Sequence, residues 1–375
     1  MEVVRILHVL GKLNRGGAET LVMNWYRNID RTKIQFDFVI HTTEKCSYTD
    51  EIYSLGGRIY SMPAYNGINH LHYRKVWHHF FKSHREYYII HGHVRSTAII
   101  YLHIAKQYGC RVISHSHSIN SGQGFKGMVK SIMQYPIRYI ADYQWACSWE
   151  AGKYLFGANS VKNSRFKIVK NAIDLEKFSY DKQIRKEMRS CLGLEGKFVV
   201  GHIGRFIPEK NHEFIVEVFE QYHNRNNDAI LLLVGIGSLM TKIKAKVAQK
   251  GLESCVLFMG ERTDISDIMQ AMDVFLFPST YEGLGIVAIE AQTSGLPVLL
   301  SETIPNEVKV IDNAWFLPID KTKSYDIWKN KLLELDSMLI VRENTQQKMS
   351  EAGYNIVTAV CDLIDEYMSI INAER

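Results

Sequence analysis

Short apolar runs recur along the chain, each closed by a turn rich in Gly, Pro, Ser or Asn and followed by residues at helical spacing. In the first half, runs at 3–10, 35–41, 58–62, 88–92 and 111–115 predict strands, and stretches at 18–28, 70–87 and 96–108 predict helices. A longer helical stretch, 125–142, is interrupted at Tyr135-Pro136. In the second half, strands are predicted at 198–203, 229–235, 256–260, 273–277 and 297–300. Helices are predicted from about 212, over 264–272, from 286 to 295, and over 324–338 and 353–372. Strand–helix alternation at this pitch argues for parallel, doubly wound sheets, an α/β fold. Residues 175–195 are charged and weakly periodic, fit for a linker and a lead-in helix. The chain is long for one core, so two domains are expected, 1–174 and 175–352, with a terminal helical segment at 353–375.

Composition narrows the class. A hydrophobic content of 46% and a charged content of 23% are those of an ordinary soluble globular protein. No apolar run is long enough to span a bilayer, and the first residues lack the order of a secretion signal. The six cysteines are scattered without a C-x-x-C pair, which favours reduced thiols, a cytoplasmic location and no metal site. Charge is uneven: residues 1–150 hold 18 basic against 10 acidic side chains, the remainder 27 against 30. Between 70 and 140 there are ten Lys or Arg, ten His and one acid, Glu86. Such an imbalance suits an anionic partner, although a merely solvated basic face remains the alternative. Around Phe125–Trp149, Lys126, Lys130 and Arg138 are interleaved with Phe125, Met128 and other apolar residues. That pattern reads equally as a helix lying on anionic lipid or as a core-facing helix with solvated lysines.

Candidate chemistry concentrates in Pro278–Val298, reading strand end, Gly-rich turn, helix, strand. Gly283 and Gly285 flank Leu284 and permit turn conformations closed to other residues. The helix start after them offers free backbone N–H groups and a positive dipole end to an anion. Glu282 lies in the turn and Glu290 in the helix, eight residues on, so both fall on roughly one side. A diphosphate sugar laid across that helix start needs acceptors at both ends, Glu282 for sugar hydroxyls and Glu290 for ribose hydroxyls. Arg205 and Lys210, just after Gly204 and before a predicted helix, are cations suited to the diphosphate. Gly235 closes a strand in Gly-Ile-Gly, without the third glycine of a dinucleotide fingerprint. Gly16 and Gly17 allow close backbone approach of a ligand at the end of the first strand, and His115 and His117 end another strand.

These landmarks resemble family-4 retaining glycosyltransferases. Glu282 and Glu290 match the family's Glu-x7-Glu signature with its flanking Pro-Ser, Glu-Gly-x-Gly and Gly-x-Pro-Val, and 204–211 match its Gly-Arg…Lys-Asn loop. Gly16-Gly17-Ala18-Glu19, Asn171-Ala172-Ile173-Asp174 and Val234–Gly237 fall where the family has its other landmarks. The likeness is strongest to the capsular and exopolysaccharide branch. It implies the GT-B architecture, two Rossmann-like domains facing across a cleft, with the last helix crossing back to the first domain. It also implies that His117 contacts the donor sugar, with His115 as alternate, and that Arg262 lies in the loop holding the nucleobase.

The function expected from residues and resemblance together is transfer of a hexosyl group from a nucleotide sugar, with UDP the expected nucleotide. The acceptor would be a saccharide or an undecaprenyl-diphosphate-linked glycan, reached by a cytoplasmic enzyme peripheral to the inner face of the membrane. The sequence has no Asp-x-Asp pair, so the charges are expected from Arg205, Lys210 and the helix dipole, with neither metal nor cofactor, and nucleic acid is not an expected partner. Epimerisation or phosphorolysis on the same fold, or nucleotide-sugar binding without turnover, are the competing readings.

Overall fold

The computed structural model describes residues 3–118, 124–320, 323–338 and 341–373. Among them the first unit, Met1–Ile173 with Asn355–Arg375, contains β1 (Val4–Val9), β2 (Ile34–Ile40), β3 (Ile59–Ser61), β4 (Ile89–Gly92), β5 (Arg111–Ser116), β6 (Tyr143–Ala146) and β7 (Phe166–Ile168). They pair in the order β3-β2-β1-β4-β5-β6-β7, every pair parallel. Consecutive residues of one strand feed opposite faces: Ile6 packs under the helices Gly17–Asn28 and Ile356–Asn372, Leu7 and Val9 under His70–Ser83 and Ala98–Gln107. Strands covered on both faces read as nearly unbroken apolar runs, which is why β1 and β2 were legible.

The terminal helix Ile356–Asn372 belongs to this first unit. Ile356 N–H donates to Ile173 O at 3.0 Å, Lys167 pairs with Glu366, and Val360, Leu363 and Tyr367 join the core under β1 and β2.

The second unit, Asp174–Tyr354, contains β8 (Val199–Ile203), β9 (Ile230–Val234), β10 (Val256–Gly260), β11 (Val274–Phe277), β12 (Val298–Ser301) and β13 (Ala314–Leu317). Their order is β10-β9-β8-β11-β12-β13, again parallel. The strand order therefore reverses between β8 and β11, the place where open α/β sheets leave a crevice beyond the strand ends.

The segment expected as a linker and lead-in helix supplies that helix, and the part before it is packed structure rather than a linker. Residues Leu175–Phe178 and Lys182–Cys191 are helices of the second unit. Arg185 and Arg189 reach Asp273 at 2.5 and 3.0 Å, fixing the lead-in helix beside the start of β11. The helical stretch 125–142 breaks at Tyr135-Pro136 as its sequence predicts, into Gly124–Gln134 and Ile137–Ile140. Arg138 differs from the free surface cation expected: it is half-buried, stacks over Tyr135 at 4.1 Å and donates to Leu155 O. Met128, Val129, Lys130 and Ile132 are exposed, whereas the side chains of Phe125 and Lys126 lie outside the described residues.

Candidate active site

Three loops meet beyond the reversal point of the second sheet. After β8 the chain runs through Gly204–Ile207 into one 3-10 turn, Pro208–Lys210, and then the helix His212–His223. Asn211 joins turn to helix in the left-handed region, φ 55°, which Asn tolerates better than most residues. Its side-chain amide donates to Pro278 O at 3.2 Å, and Thr280 N–H donates to Glu209 O at 2.8 Å. The loops after β8 and β11 are thereby tied to one another. Gly235, φ 132°, is the tightest point, since a Cβ there would lie 2.1 Å from Gly204 O. Only glycine serves at that crossing.

Lys210 and Glu282 are brought together across these loops, Nζ to Oε1 at 2.5 Å, with only 17% and 13% of their side chains exposed. Lys210 also lies 5.1 Å from the centre of the Phe277 ring. Gly285, φ 89°, caps the helix Ile286–Thr293, and a Cβ on it would meet that same ring at 2.7 Å. Gly283 and Leu284 are buried, so between Glu282 and the helix the chain has backbone rather than side chains to offer a ligand. Glu290, one turn into the helix, is 9% exposed. Burial pushes its carboxyl up to about 8, against the opposing charge of Lys177. Arg205 is exposed, in the same loop as Lys210. Arg262 is tied to Asp264 at 2.8 and 2.5 Å, so it enters the loop after β10 already engaged with a carboxylate.

Two histidines absent from the expectations line this site. His202 lies within β8 with Nδ1 at 2.8 Å from Leu276 O; the carbonyl can only accept, so Nδ1 carries the proton and Nε2 is a bare lone pair. Burial holds His202 well below the usual imidazole range and brings His212 to about 4, with Lys210 adding to both shifts. His212 stacks on Phe206 at 4.0 Å. Both imidazoles are thus neutral at pH 7, and the positive charge here belongs to Arg205 and Lys210. The alternation Val200-His202 along β8 was the available signal, but alternation does not show which face is buried. Lys177 was missed because it comes from the lead-in segment.

In the first unit, Gly16 caps the helix Gly17–Asn28, and a Cβ on Gly17 would meet nothing within 4 Å. The packing of the chain itself does not require glycine there. His115, at the end of β5, is 0% exposed. His117 is half-buried and stacks on His115 with ring centres 4.1 Å apart. Of the two, His117 is the less buried, with Nε2 2.8 Å from His93 Nδ1 and Nδ1 buried without a partner.

Two parallel sheets of seven and six strands, each reversing its order, are consistent with the GT-B architecture. Residues 15–177 match the model of Glycosyltransferase Family 4, and residues 184–355 that of Glycosyl transferases group 1. The chain is 36% identical over 310 residues to EpsF of Bacillus subtilis (strain 168), which bears the name of a glycosyltransferase, covering 81% of this chain and 80% of that one. It is 27% identical to the Escherichia coli UDP-Gal:alpha-D-GlcNAc-diphosphoundecaprenol alpha-1,3-galactosyltransferase, over 76% of each chain. The crystal structure of Anabaena HepE in complex with UDP and glucose superposes with a TM-score of 0.79 at 18% identity, over 98% of this chain and 100% of that one, a likeness of fold. The chain belongs to the family-4 glycosyltransferases.

Proposed function

We propose that the chain is a retaining hexosyltransferase using a nucleotide sugar, UDP being the nucleotide the relatives favour, to extend a lipid-diphosphate-linked glycan in capsule or exopolysaccharide synthesis. The observation that carries this reading is the Lys210–Glu282 pair, which joins the loop after β8, where Arg205 is exposed, to the turn leading into the helix that carries Glu290. The diphosphate takes Arg205, Lys210 and the free N–H groups of that start; Glu290 takes the ribose hydroxyls, and Glu282, released from Lys210, the sugar hydroxyls. Arg262, in the loop after β10, is assigned to the nucleobase. On the first unit, His117 is assigned to the sugar and the Gly16-Gly17 turn to the acceptor end of the donor.

In the reaction the bond between the sugar's anomeric carbon and the diphosphate oxygen breaks. A bond from that carbon to the acceptor hydroxyl oxygen forms on the same face, and the hydroxyl proton passes to the departing phosphate. Charge on the leaving oxygen grows along this path, so Arg205 and Lys210 stabilise the transition state more than the bound donor, which is what acceleration requires. The charges belong to the protein, and on this reading no metal ion is needed. The acceptor's lipid anchor accounts for the basic surface of the first unit and for the apolar residues shown by Gly124–Gln134, which we assign to the anionic membrane surface. No helix among the described residues is long and apolar enough to cross a membrane.

A panel of nucleotide sugars screened by thermal shift selects the donor, since a ligand raises apparent stability. Release of free nucleoside diphosphate only when acceptor is added then distinguishes transfer from binding or epimerisation. Release without acceptor, or none with any, contradicts the reading.

A further inference from the structure

Five histidines line one face of the first sheet near its strand ends: His8 in β1, His91 in β4, His93 just after it, His115 in β5 and His117 just after that. They occupy alternate positions, so they replace with imidazoles the apolar layer that Ile6, Ile89 and Ile113 form one step earlier. The rings form two hydrogen-bonded rows. In one, Tyr367 Oη lies 2.7 Å from His91 Nδ1, and His91 Nε2 lies 3.1 Å from His115 Nδ1. In the other, His8 Nδ1 lies 3.0 Å from His93 Nε2, and His93 Nδ1 lies 2.8 Å from His117 Nε2. The rows stack face to face, His91 on His93 at 4.4 Å and His115 on His117 at 4.1 Å.

The nitrogens of His8, His91 and His93, or of His93, His115 and His117, are close enough together to suggest a metal ion. The ring planes argue otherwise. An imidazole lone pair lies in the plane of its ring, and His91 and His93 are stacked only 23° from parallel, His115 and His117 only 27°. Lone pairs in stacked, nearly parallel planes do not converge on one ion; they point along each row to the next ring.

The direction of the first row follows from counting protons. Tyr367 is fully buried on the terminal helix, and burial holds its phenol well above the ordinary value, so the hydroxyl keeps its proton. If Tyr367 donates to His91 Nδ1, His91 must carry its proton on Nε2 and donate to His115, which in turn carries its proton on Nε2. One donor, His115 Nε2–H, is then left without a partner, in keeping with the unpartnered state of that atom. The reverse order strands the phenolic proton and leaves a bare lone pair on His115 Nε2, one more unmet group.

We propose that Tyr367 is a positioning residue for His117: its hydroxyl orders the row His91–His115, whose last ring is the buried platform on which His117 stacks. The terminal helix is thus joined to His117 through two buried imidazoles. The part concerning turnover rests on the glycosyltransferase reading; the part concerning proton order does not.

The test uses the full chain labelled with 15N-histidine, in which long-range 1H–15N spectra distinguish the two neutral tautomers. His91 and His115 are expected as Nε2–H in the native protein; Nδ1–H at either ring overturns the proposal. Tyr367→Phe removes one oxygen from a buried ring and makes the two orders equal in unmet groups. It should give mixed tautomers at His91 and His115, a shifted His117 resonance, and kcat/KM for the donor lowered about tenfold, within what a small misplacement costs. An unchanged His91 and His115 spectrum, or a His117 resonance and rate like wild type, overturns it. Failure of the native protein to transfer any sugar would sink the proposed function while leaving the spectra to decide the row. One equivalent of Zn2+ should leave the N–H signals in place; their loss would mean that the imidazoles bind an ion and would overturn the row.

Discussion

Lys210 and Glu282, 72 residues apart in sequence, meet at 2.5 Å, and the site therefore contains its own counter-anion. A diphosphate arriving at the helix start must take Lys210 over from Glu282, which frees the carboxylate for sugar hydroxyls. Glu282→Gln keeps the shape and removes the competitor. Calorimetry should show free nucleoside diphosphate bound roughly fivefold more tightly, the equivalent of about 1 kcal/mol, while turnover falls. Weaker binding by the variant would show that Glu282 assists the diphosphate rather than competing with it.

Arg205→Ala and Lys210→Ala should each lower turnover by about 10²-fold, the scale of losing one charge partner of a transition state. Lys210→Ala alone also strands Glu282 in a poorly solvated place. The double variant Lys210→Ala/Glu282→Gln isolates the part due to Lys210, since neighbouring substitutions do not add. Near-normal rates in both single variants would remove these cations from the mechanism.

What was legible in the sequence follows from where the information lies. β1, β2 and β11 announced themselves because strands buried on both faces are locally apolar. β6, β7 and β13 did not: β7 and most of β13 are only half-buried, and β6 carries a buried Gln144, whose side-chain N–H donates to Arg138 O at 2.7 Å. The turn and helix around Glu282 and Glu290 were readable from Gly, Pro and spacing. That Glu282 faces Lys210 and that Arg138 turns inward to Leu155 depend on how separate segments are brought together, which no local pattern encodes. The histidine rows show the same limit. Their alternation was visible in His91-x-His93 and His115-x-His117, but the partner that orders them, Tyr367, is 276 residues from His91.

Glu290 gives a pH dependence with a definite sign. Its folded carboxyl titrates near 8, above the ordinary value of 4.5, because burial disfavours the charge. The folded chain therefore binds more protons than the unfolded one between those values, so this group's contribution to stability is complete below 4.5 and is lost as pH rises towards 8. Ribose hydroxyls donate to the carboxylate, so donor binding should release a proton near pH 7 and strengthen as pH rises to about 8. Calorimetry of a UDP-sugar, esterified at both ends of its diphosphate, in two buffers of different ionisation enthalpy reads that proton. Glu290→Gln should abolish the release and weaken binding whatever sugar is attached. A variant that binds nucleoside diphosphate like wild type would remove Glu290 from the ribose.

The last prediction concerns the surface that would meet the lipid. Helix Gly124–Gln134 shows Met128 and Ile132, four apart and 55% and 65% exposed, with Val129 and Lys130 between them, and Tyr135 and Tyr139 continue the apolar strip. Residues four apart lie on one helix face. Exposed apolar side chains along such a face need a partner, and an anionic bilayer suits the basic surface around them. Lys130 is free to approach headgroups, where a cation is worth up to about 1 kcal/mol, less with added salt. Arg138 is not, since its guanidinium is held over Tyr135 and by Leu155 O. Met128→Glu with Ile132→Glu should therefore abolish sedimentation with anionic vesicles, and Lys130→Glu should weaken it, both leaving UDP-sugar binding intact. Arg138→Glu should instead lower the melting temperature, because it unseats a half-buried contact. Absence of vesicle binding by the native protein at low salt, or equal binding by the double variant, would assign this helix to some other partner.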